Sequence, residues 1–179
     1  MYTYLIINSN NRFAQQFMQT IQSSDKAVWE LNLTSDSLAE EGSKGAISVC
    51  DPADDWSLNY EIERAFFEFR SFDEVIFFPA ELNSDAFEAV SGRVIQEQIF
   101  NQVTTVIAIY KILAEKLRLQ NYCKVTQFLY SDSYEHVATS PLSLTISGAL
   151  RGFVNGFRNE LQQRNVAIEV KPILLNKEV

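Results

Sequence analysis

Three residues of the types that hydrolases use for nucleophilic catalysis lie close together in the sequence: Ser131, Asp132 and His136. A serine hydroxyl becomes a nucleophile when a histidine takes its proton and a carboxylate orients that histidine. The serine lies in the sequence LYSDS, which lacks the Gly-x-Ser-x-Gly pattern whose strained turn exposes the nucleophile in α/β-hydrolases. We therefore interpret the three residues as neighbours in a polar loop.

A second candidate is the acidic cluster of Asp51, Asp54 and Asp55, because carboxylate oxygens bind divalent cations. A proline follows Asp51, and Asp54 or Asp55 can cap a helix that begins there. We favour a solvated helix start over a metal site. The chain also lacks the cysteines and histidines that a zinc site needs, since it has one histidine and its two cysteines, Cys50 and Cys123, are far apart in the sequence. The two cysteines are expected to be reduced thiols.

The composition limits the partners of the chain. Its 179 residues include 23 acidic and 15 basic side chains, which gives a formal net charge of −8. This charge has the same sign as a phosphate backbone and disfavours nucleic-acid binding. No apolar segment approaches the roughly 18 residues of a membrane span, and the first residues lack the features of a signal peptide. We expect one cytoplasmic domain over residues 1–179, with no membrane partner.

The elements that position these residues alternate along the chain. Six short β-favouring segments are predicted at Tyr2–Ile7, Ala27–Leu33, Gly45–Asp51, Glu74–Phe78, Val125–Tyr130 and Val166–Leu174. Apolar residues at helical spacing predict helices at Arg12–Ser23, between a cap at Asp54 or Asp55 and Phe69, at Arg93–Leu119 and at Ser143–Arg164. The alternation predicts an α/β fold with a doubly wound parallel sheet of about six strands, a Rossmann-like three-layer sandwich.

Two of these helices have unusual surfaces. The helix at 93–119 is apolar beyond a single stripe, which is typical of a helix that packs on two surfaces. The helix at 143–164 carries Gly148, Ala149, Gly152 and Gly156, although a glycine in a helix interior costs up to ~1 kcal/mol relative to alanine. Close approach of another backbone explains such glycines. That backbone is either the protein's own sheet or a partner helix.

Three segments in the second half of the chain form a recognisable pattern: Ser147–Phe153 (SGALRGF), Asn159–Leu161 (NEL) and Val166–Pro172 (VAIEVKP). They are similar to the active-site helix of the short-chain dehydrogenase/reductase (SDR) family and to the strand that follows it. The resemblance is clearest from Phe100 to Pro172. It implies a Rossmann fold whose active members bind NAD(P) and are oxidoreductases, of which this chain resembles a truncated and degenerate member.

The resemblance also implies which catalytic positions are kept and which are lost. It places Asn101 at the family's catalytic asparagine and Ser131 near its catalytic serine, whereas the family's Tyr-x-x-x-Lys pair falls on Ser143 and Ser147. In the family the tyrosine transfers a proton to or from the substrate oxygen, and the lysine lowers its pKa. A serine hydroxyl lacks the acidity for general acid catalysis near neutral pH. We expect the ordinary reductase mechanism to be lost.

The residues that bind the cofactor in the family are also largely missing from this chain. A dinucleotide fold has glycines at the first strand-to-helix turn, because only a bare backbone can approach the pyrophosphate. The first glycine of this chain is Gly42, and the turn after strand four has the sequence FFPA, whose rings are expected to fill the nicotinamide side. The remnant cofactor positions are Asn8, Ser9, Ala80 and Asp51, the last matching an adenine-contacting aspartate of the family. We expect no bound cofactor.

The sequence thus predicts an SDR-like pseudoenzyme with a structural or regulatory role as a partner subunit. In the family the two long helices form a four-helix dimer interface, which implies a homodimer, or a heterodimer with a related SDR. The residues expected there are Val103, Tyr110, Gly148, Gly152, Phe153 and Gly156. Two alternatives stay open: an NAD(P)-dependent oxidoreductase with an unconventional site, and a structural subdomain like the non-catalytic half of polyketide ketoreductases.

Overall fold

The computed structural model describes residues 1–21, 25–33, 46–51, 53–80, 87–120, 122–130, 140–161 and 166–173. Six strands form one sheet: β1 (Tyr2–Ile7), β2 (Lys26–Leu33), β3 (Ala46–Cys50), β4 (Glu74–Phe77), β5 (Cys123–Tyr130) and β6 (Val166–Ile173). Every neighbouring pair is parallel, and the order across the sheet is β3-β2-β1-β4-β5-β6. The predicted doubly wound parallel sheet is confirmed.

The described residues form five α-helices: α1 (Arg12–Ile21), α2 (Asp55–Phe69), α3 (Gly92–Ile99), α4 (Thr105–Arg118) and α5 (Pro141–Leu161). A short 3-10 helix at Phe87–Ala89 precedes α3. The predicted cap of α2 is confirmed, since the Asp54 carboxylate accepts a hydrogen bond from the Trp56 amide at 3.0 Å. Within the described ranges, none of the helices has the length and apolar character needed to cross a bilayer.

The segment predicted as one helix from Arg93 to Leu119 is divided in the structure. A π-helical turn at Phe100–Thr104 separates α3 from α4. The Thr105 amide donates to the Phe100 carbonyl, five residues earlier, and the Thr105 hydroxyl donates to the same oxygen at 3.2 Å. This second bond stabilises the wider turn. The apolar spacing is the same on both sides of it, so the sequence pattern predicts a single helix.

Helices α2, α4 and α5 pack on one face of the sheet, which we call face A. Its core joins Leu5 and Ile7 of β1 with Leu58 of α2, Leu113 of α4 and Leu150 of α5. On the opposite face, face B, α1 packs on Tyr4, Ile6 and other residues in a smaller core. Both sides of β1 are therefore buried, which explains the continuous apolar run from Tyr4 to Ile7.

Candidate functional site

The strand order determines where a ligand site of this fold lies. The chain proceeds outward from β1 through β2 to β3 on one side and from β4 through β5 to β6 on the other. Open α/β sheets bind ligands at such a switch point, in the crevice beyond the carboxyl ends of the central strands. The crevice here is a cleft of about 310 Å³ lined by Asn8, Asn10, Asn11, Leu33, Pro79 and Ala80.

Asn8 shapes the turn directly after β1. Its φ is 61°, in the left-handed region that glycine adopts most easily and asparagine tolerates. Its side-chain amide donates to the Phe78 carbonyl at 3.0 Å, and the Phe78 amide donates to the Ile7 carbonyl at 3.1 Å. Asn8 thus adopts a backbone conformation suited to glycine, while its side chain crosses the crevice to the connection after β4.

Asn11 makes a similar contact at the start of α1. Its Oδ1 accepts a hydrogen bond from the Phe13 amide at 2.8 Å, as a helix cap does. Its Nδ2 donates to the Pro79 carbonyl at 2.8 Å. We call the bonds from Asn8 to Phe78 and from Asn11 to Pro79 the asparagine bridge. This bridge joins the two connections that border the crevice, and both asparagines are buried.

The middle of the same turn is bonded to β2. The Asn32 side-chain oxygen accepts hydrogen bonds from the Ser9 hydroxyl and from the Asn10 amide, the latter at 2.9 Å. In a phosphate-binding turn the backbone amides after the strand point at the anion. Here the Asn10 amide bonds to Asn32 instead. Sequence reasoning missed Asn32, whose only signal is an asparagine near the end of a β-favouring segment.

The two rings at the end of β4 do not fill the crevice as expected. Phe77 is buried in face A, where it stacks on Tyr110 with ring centroids 4.4 Å apart, and Phe78 is buried in the core of face B. Adjacent residues of an extended chain point to opposite faces, which separates the two rings. Ala80 does line the cleft, and its carbonyl accepts a hydrogen bond from the Tyr130 hydroxyl at 3.3 Å.

Asp51 lies exposed after β3, at the same edge of the sheet. Its carboxylate accepts from the Ala53 amide at 2.8 Å, and its carbonyl accepts from the Asp54 amide at 3.0 Å. These bonds shape the turn into α2, which supports the structural interpretation of the acidic cluster. Among the described residues, no three His, Cys, Asp or Glu side chains are grouped so that they could hold a metal ion.

Three of the positions that the resemblance assigns to the family's catalytic residues lie on two neighbouring elements. Asn101 is half-buried in the π-helical turn, and α5 packs against that turn. Ser143 and Ser147 are buried one turn apart on α5. The amide of Ser143 donates to the Ser140 hydroxyl at 3.3 Å, near the start of the helix. Ser131, together with Asp132 and His136, lies outside the described residues.

Tyr110 was expected at a dimer interface, and this expectation is wrong because its side chain is 0% exposed. Its ring stacks on Phe77 and makes edge contacts with Phe153 and Phe157, with centroids 5.3 Å and 5.1 Å away. Its hydroxyl lies 3.3 Å from Oε1 of Gln127. Burial raises the pKa of Tyr110 far above its ordinary value, so the hydroxyl stays protonated. The apolar pattern of α4 could not separate its inner from its outer residues.

The other expected interface residues are at least partly exposed. Val103 and Phe153 are half-buried and pack against the core of face A. Gly148, Gly152 and Gly156 are exposed on α5, and a Cβ built on any of them would have no neighbour from another element within 4 Å in the described part of the chain. The glycines therefore do not seat α5 on its own sheet. Of the two explanations that the sequence left open, close packing of the glycines on the chain's own sheet is not seen among the described residues.

Both cysteines are buried free thiols. Burial raises the pKa of Cys50 to about 12, with the Glu61 carboxylate adding to the effect, and burial raises the pKa of Cys123 to about 12 as well. A thiol reacts as its thiolate, which is scarce at neutral pH when the pKa is this high. Neither cysteine has the properties of a catalytic nucleophile.

No family model matches the sequence, and no curated protein matches it. Several solved structures match the fold. A short-chain dehydrogenase from Streptomyces avermitilis has a TM-score of 0.79 at 11% identity, over 99% of this chain and 67% of that chain. The chain has the short-chain dehydrogenase fold. A dehydrogenase/reductase from Sinorhizobium meliloti 1021 has a TM-score of 0.77 at 11% identity, over 94% of this chain and 70% of that chain.

A third structure with the short-chain dehydrogenase fold, a short-chain dehydrogenase/reductase from Serratia marcescens BCRC 10948, matches at a TM-score of 0.74 and 13% identity. The match covers 94% of this chain and 76% of that chain. Identities this low establish the architecture, whereas activity depends on the residues of the site.

Proposed function

We propose that this protein keeps the short-chain dehydrogenase fold without redox catalysis and acts as a structural or regulatory partner subunit. The asparagine bridge carries this proposal. Glycines in a dinucleotide-binding turn let the pyrophosphate lie against the backbone at the switch point. In this chain, Asn8 and Asn11 extend across the switch point and bond to carbonyls on its other side.

The energetics of the cleft support the absence of a dinucleotide. To admit a pyrophosphate, the turn would have to release the two bonds of the bridge, each of which contributes about 0.5–1.5 kcal/mol. The described residues that line the cleft carry no charge that could pair with a phosphate. Its volume of about 310 Å³ is also at the lower end of the range for small-molecule sites, roughly 300–1,000 Å³.

The two serines support the absence of carbonyl reduction. Ser143 and Ser147 are buried, so each hydroxyl is surrounded by protein. A buried hydroxyl with an ordinary pKa far above neutrality is a poor proton donor for a substrate oxygen. Neither position offers a cation to lower the pKa of a neighbouring group or to hold a ribose. The chain therefore lacks a proton donor at the position the family uses.

The surface of α5 supports the partner role. Gly148, Gly152 and Gly156 expose backbone that nothing else in the described structure approaches. Glycine at such helix positions is destabilising by up to ~1 kcal/mol relative to alanine unless a close neighbour uses the space. A second helix packed on this glycine stripe uses it, and an isologous twofold pairs the stripe with its own copy. We propose a homodimer, or a heterodimer with a related SDR, formed by α4 and α5.

Calorimetry with NADH and NADPH tests the loss of cofactor binding. We expect no affinity tighter than millimolar, and no thermal stabilisation in a parallel melting experiment. A ligand at 100 times its Kd stabilises by about 2.7 kcal/mol, so binding would be plain in both measurements. An active short-chain dehydrogenase serves as the positive control. Micromolar affinity for either nucleotide would overturn the proposal.

One observation favours an oxidoreductase with an unconventional site as the second candidate. Asn101 lies in a π-helical turn, and such turns occur frequently at functional sites. This candidate predicts reduction of a generic ketone, aldehyde or acyl-thioester by NADPH, lost on Asn101→Ala and kept on Gln96→Ala, an exposed position on α3. Our proposal predicts turnover no higher than a protein-free blank for all three proteins.

A further inference from the structure

Three aromatic side chains lie exposed along one side of α2. Trp56 is 72% exposed, Tyr60 is 51% exposed and Phe67 is 83% exposed. At 3.6 residues per turn these positions fall within one narrow stripe, and at 1.5 Å per residue the stripe is about 16 Å long. We call it the aromatic stripe. Single exposed apolar residues are ordinary, but three aromatic rings in line are typical of an interaction surface.

The first two rings of the stripe are ordered against each other. Trp56 and Tyr60 are stacked, with centroids 5.3 Å apart and planes 12° from parallel. This pairing holds both side chains in one conformation, so little rotamer freedom is left to lose when a partner binds. Tryptophan and tyrosine are also the residue types most enriched among those that dominate binding energy.

A groove with an excess of negative charge lies beside the stripe, between α2 and α4. Its volume is about 310 Å³, and its described lining includes the carboxylates of Asp55, Glu63 and Glu115 and the ammonium group of Lys111. Glu63 also pairs with Lys116 at 2.6 Å. The groove lies at the same helix as the aromatic stripe, so a single bound segment can contact both.

We propose that a basic segment of a partner protein docks on α2, with lysine or arginine side chains on the aromatic stripe and in the acidic groove. A cation over a tryptophan or tyrosine ring is attracted by the ring's negative face. The carboxylates of the groove add ion pairs to the same cations. This surface lies on α2 and is separate from the glycine stripe of α5, so the inference goes beyond the proposed subunit role and does not depend on it.

The protein uses the same combination of groups within its own fold. The Arg64 guanidinium lies over the Trp29 ring, 5.3 Å from its centroid. The same guanidinium pairs with the Glu61 carboxylate at 3.2 Å. A tryptophan ring and a carboxylate thus contact one cation together at α2. The aromatic stripe and the groove offer this arrangement to a cation from outside.

Charge decides between a basic partner and the other possible occupants. A second copy of this chain would place its own carboxylates against those of the groove, because a twofold contact pairs a surface with itself. Anionic membranes and nucleic acids are repelled by the same carboxylates and by the net charge of −8. Of these occupants, a segment with positively charged side chains complements both the rings and the groove.

Acrylamide quenching of tryptophan fluorescence tests the docking. Trp29 is buried and Trp56 is exposed, so Trp56 dominates the quenching of the free protein. The probe is an amphipathic peptide with arginine and leucine at helical spacing, and the matched control peptide has glutamate in place of arginine. We expect the basic peptide to protect Trp56 from quenching and the acidic peptide to leave it unchanged.

Variants separate specific docking from the general attraction of an acidic protein for a polycation. Tyr60→Ala and Glu115→Lys are expected to weaken binding about tenfold, the effect of losing a central interface contact. Tyr122→Ala and Glu97→Lys change an exposed aromatic and an exposed carboxylate elsewhere, and are expected to change the affinity less than twofold.

Equal binding by all variants, or no binding by the wild type, overturns the proposal. A change in oligomeric state on Tyr60→Ala also overturns it, because the stripe would then bind a second copy.

Discussion

The two faces of the sheet are stabilised in different ways. Face A is covered by α2, α4 and α5 over a continuous apolar core. Face B has α1 over the centre of the sheet, while its surface on β4, β5 and β6 carries a network of charged and polar side chains, which we call the charged network. Its members are Glu74, Lys124, Thr126, Glu169 and Lys171.

The bonds of the charged network run across three strands. Glu74 accepts a hydrogen bond from the Thr126 hydroxyl at 2.6 Å and lies 3.3 Å from the Lys124 ammonium group. Lys124 lies 3.4 Å from Glu169 on β6, which in turn lies 3.3 Å from Lys171. Every charge has an opposite neighbour, so this part of the sheet can face water. The two faces therefore differ in kind: face A has the larger apolar core, whereas face B combines a smaller apolar core with polar contacts that join neighbouring strands.

The largest expected effect comes from the core of face A. Tyr110→Ala removes a ring stacked on Phe77 and leaves a cavity, so we expect unfolding in urea to show a loss of about 3–5 kcal/mol. Tyr122→Ala is the control, because Tyr122 is 57% exposed and its loss should change the stability by less than about 0.5 kcal/mol. Equal effects of the two substitutions would contradict the assignment of Tyr110 to the core.

The charged network should give the next largest effect. Glu74 is buried at the start of β4, so Glu74→Ala leaves the Thr126 hydroxyl without its acceptor and Lys124 with one carboxylate fewer. A broken buried hydrogen bond costs about 1–3 kcal/mol when one partner is removed. Glu74→Gln keeps an acceptor for Thr126 and should lose less. If Glu74→Gln and Glu74→Ala are equally destabilising, the charge matters more than the hydrogen bond.

The sequence predicted face A better than face B. The residues that build face A, such as Leu58, Ile62 and Leu113, recur at helical spacing, and such spacing is the strongest local signal of a buried helix surface. The network on face B joins residues whose partners lie about 50 positions away in the chain, as Thr126 and Glu74 do. No local pattern predicts such pairs. The asparagine bridge was missed for the same reason, because Asn8 and Phe78 meet only once β1 and β4 are paired.

Substitutions at Gly152 test whether the outer surface of the helices on face A packs against a partner. A Cβ added at position 152 meets no atom of another element within 4 Å among the residues that the structure describes. Gly152→Leu should therefore make the monomer more stable by up to about 0.8 kcal/mol through helix propensity alone. In a dimer packed on the glycine stripe, the same side chain forces the helices apart, so light scattering should show dissociation. Gly152→Ala should disturb the dimer less.

Two results would show that the glycines of α5 do not pack against a partner helix. One is a wild-type protein that is monomeric at tens of micromolar by light scattering. The other is a Gly152→Leu protein with the molecular mass of the wild-type dimer. Either would mean that α5 has no close partner, whatever the stability measurements show.

The smallest effect is expected at the exposed end of the charged network, where pH can switch the charges. Burial alone would raise the pKa of Glu169, but hydrogen bonds and charge from Lys171 and Lys124 outweigh it and hold the pKa below its ordinary value of 4.5. A carboxyl whose pKa is lower in the folded state stabilises the protein above its unfolded pKa, and this contribution is lost as the pH falls through the folded pKa.

Lys124 determines the alkaline pH at which the ion pairs of Glu169 stop stabilising the protein. Burial alone would lower its pKa, but the carboxylates of Glu74 and Glu169 outweigh it and raise the pKa above its ordinary value of 10.5. The stabilisation by this lysine is therefore complete below that pH and is lost as the pH rises through the folded pKa.

Glu169 is about half exposed, so solvent screening limits the ion pairs to less than about 1 kcal/mol. Urea unfolding should thus show Glu169→Gln to be slightly less stable than the wild type at pH 7, with a smaller difference at pH 3. A constant difference at both values would mean that the side chain acts through packing, in which case polar contacts would contribute less to face B than the geometry of the network indicates.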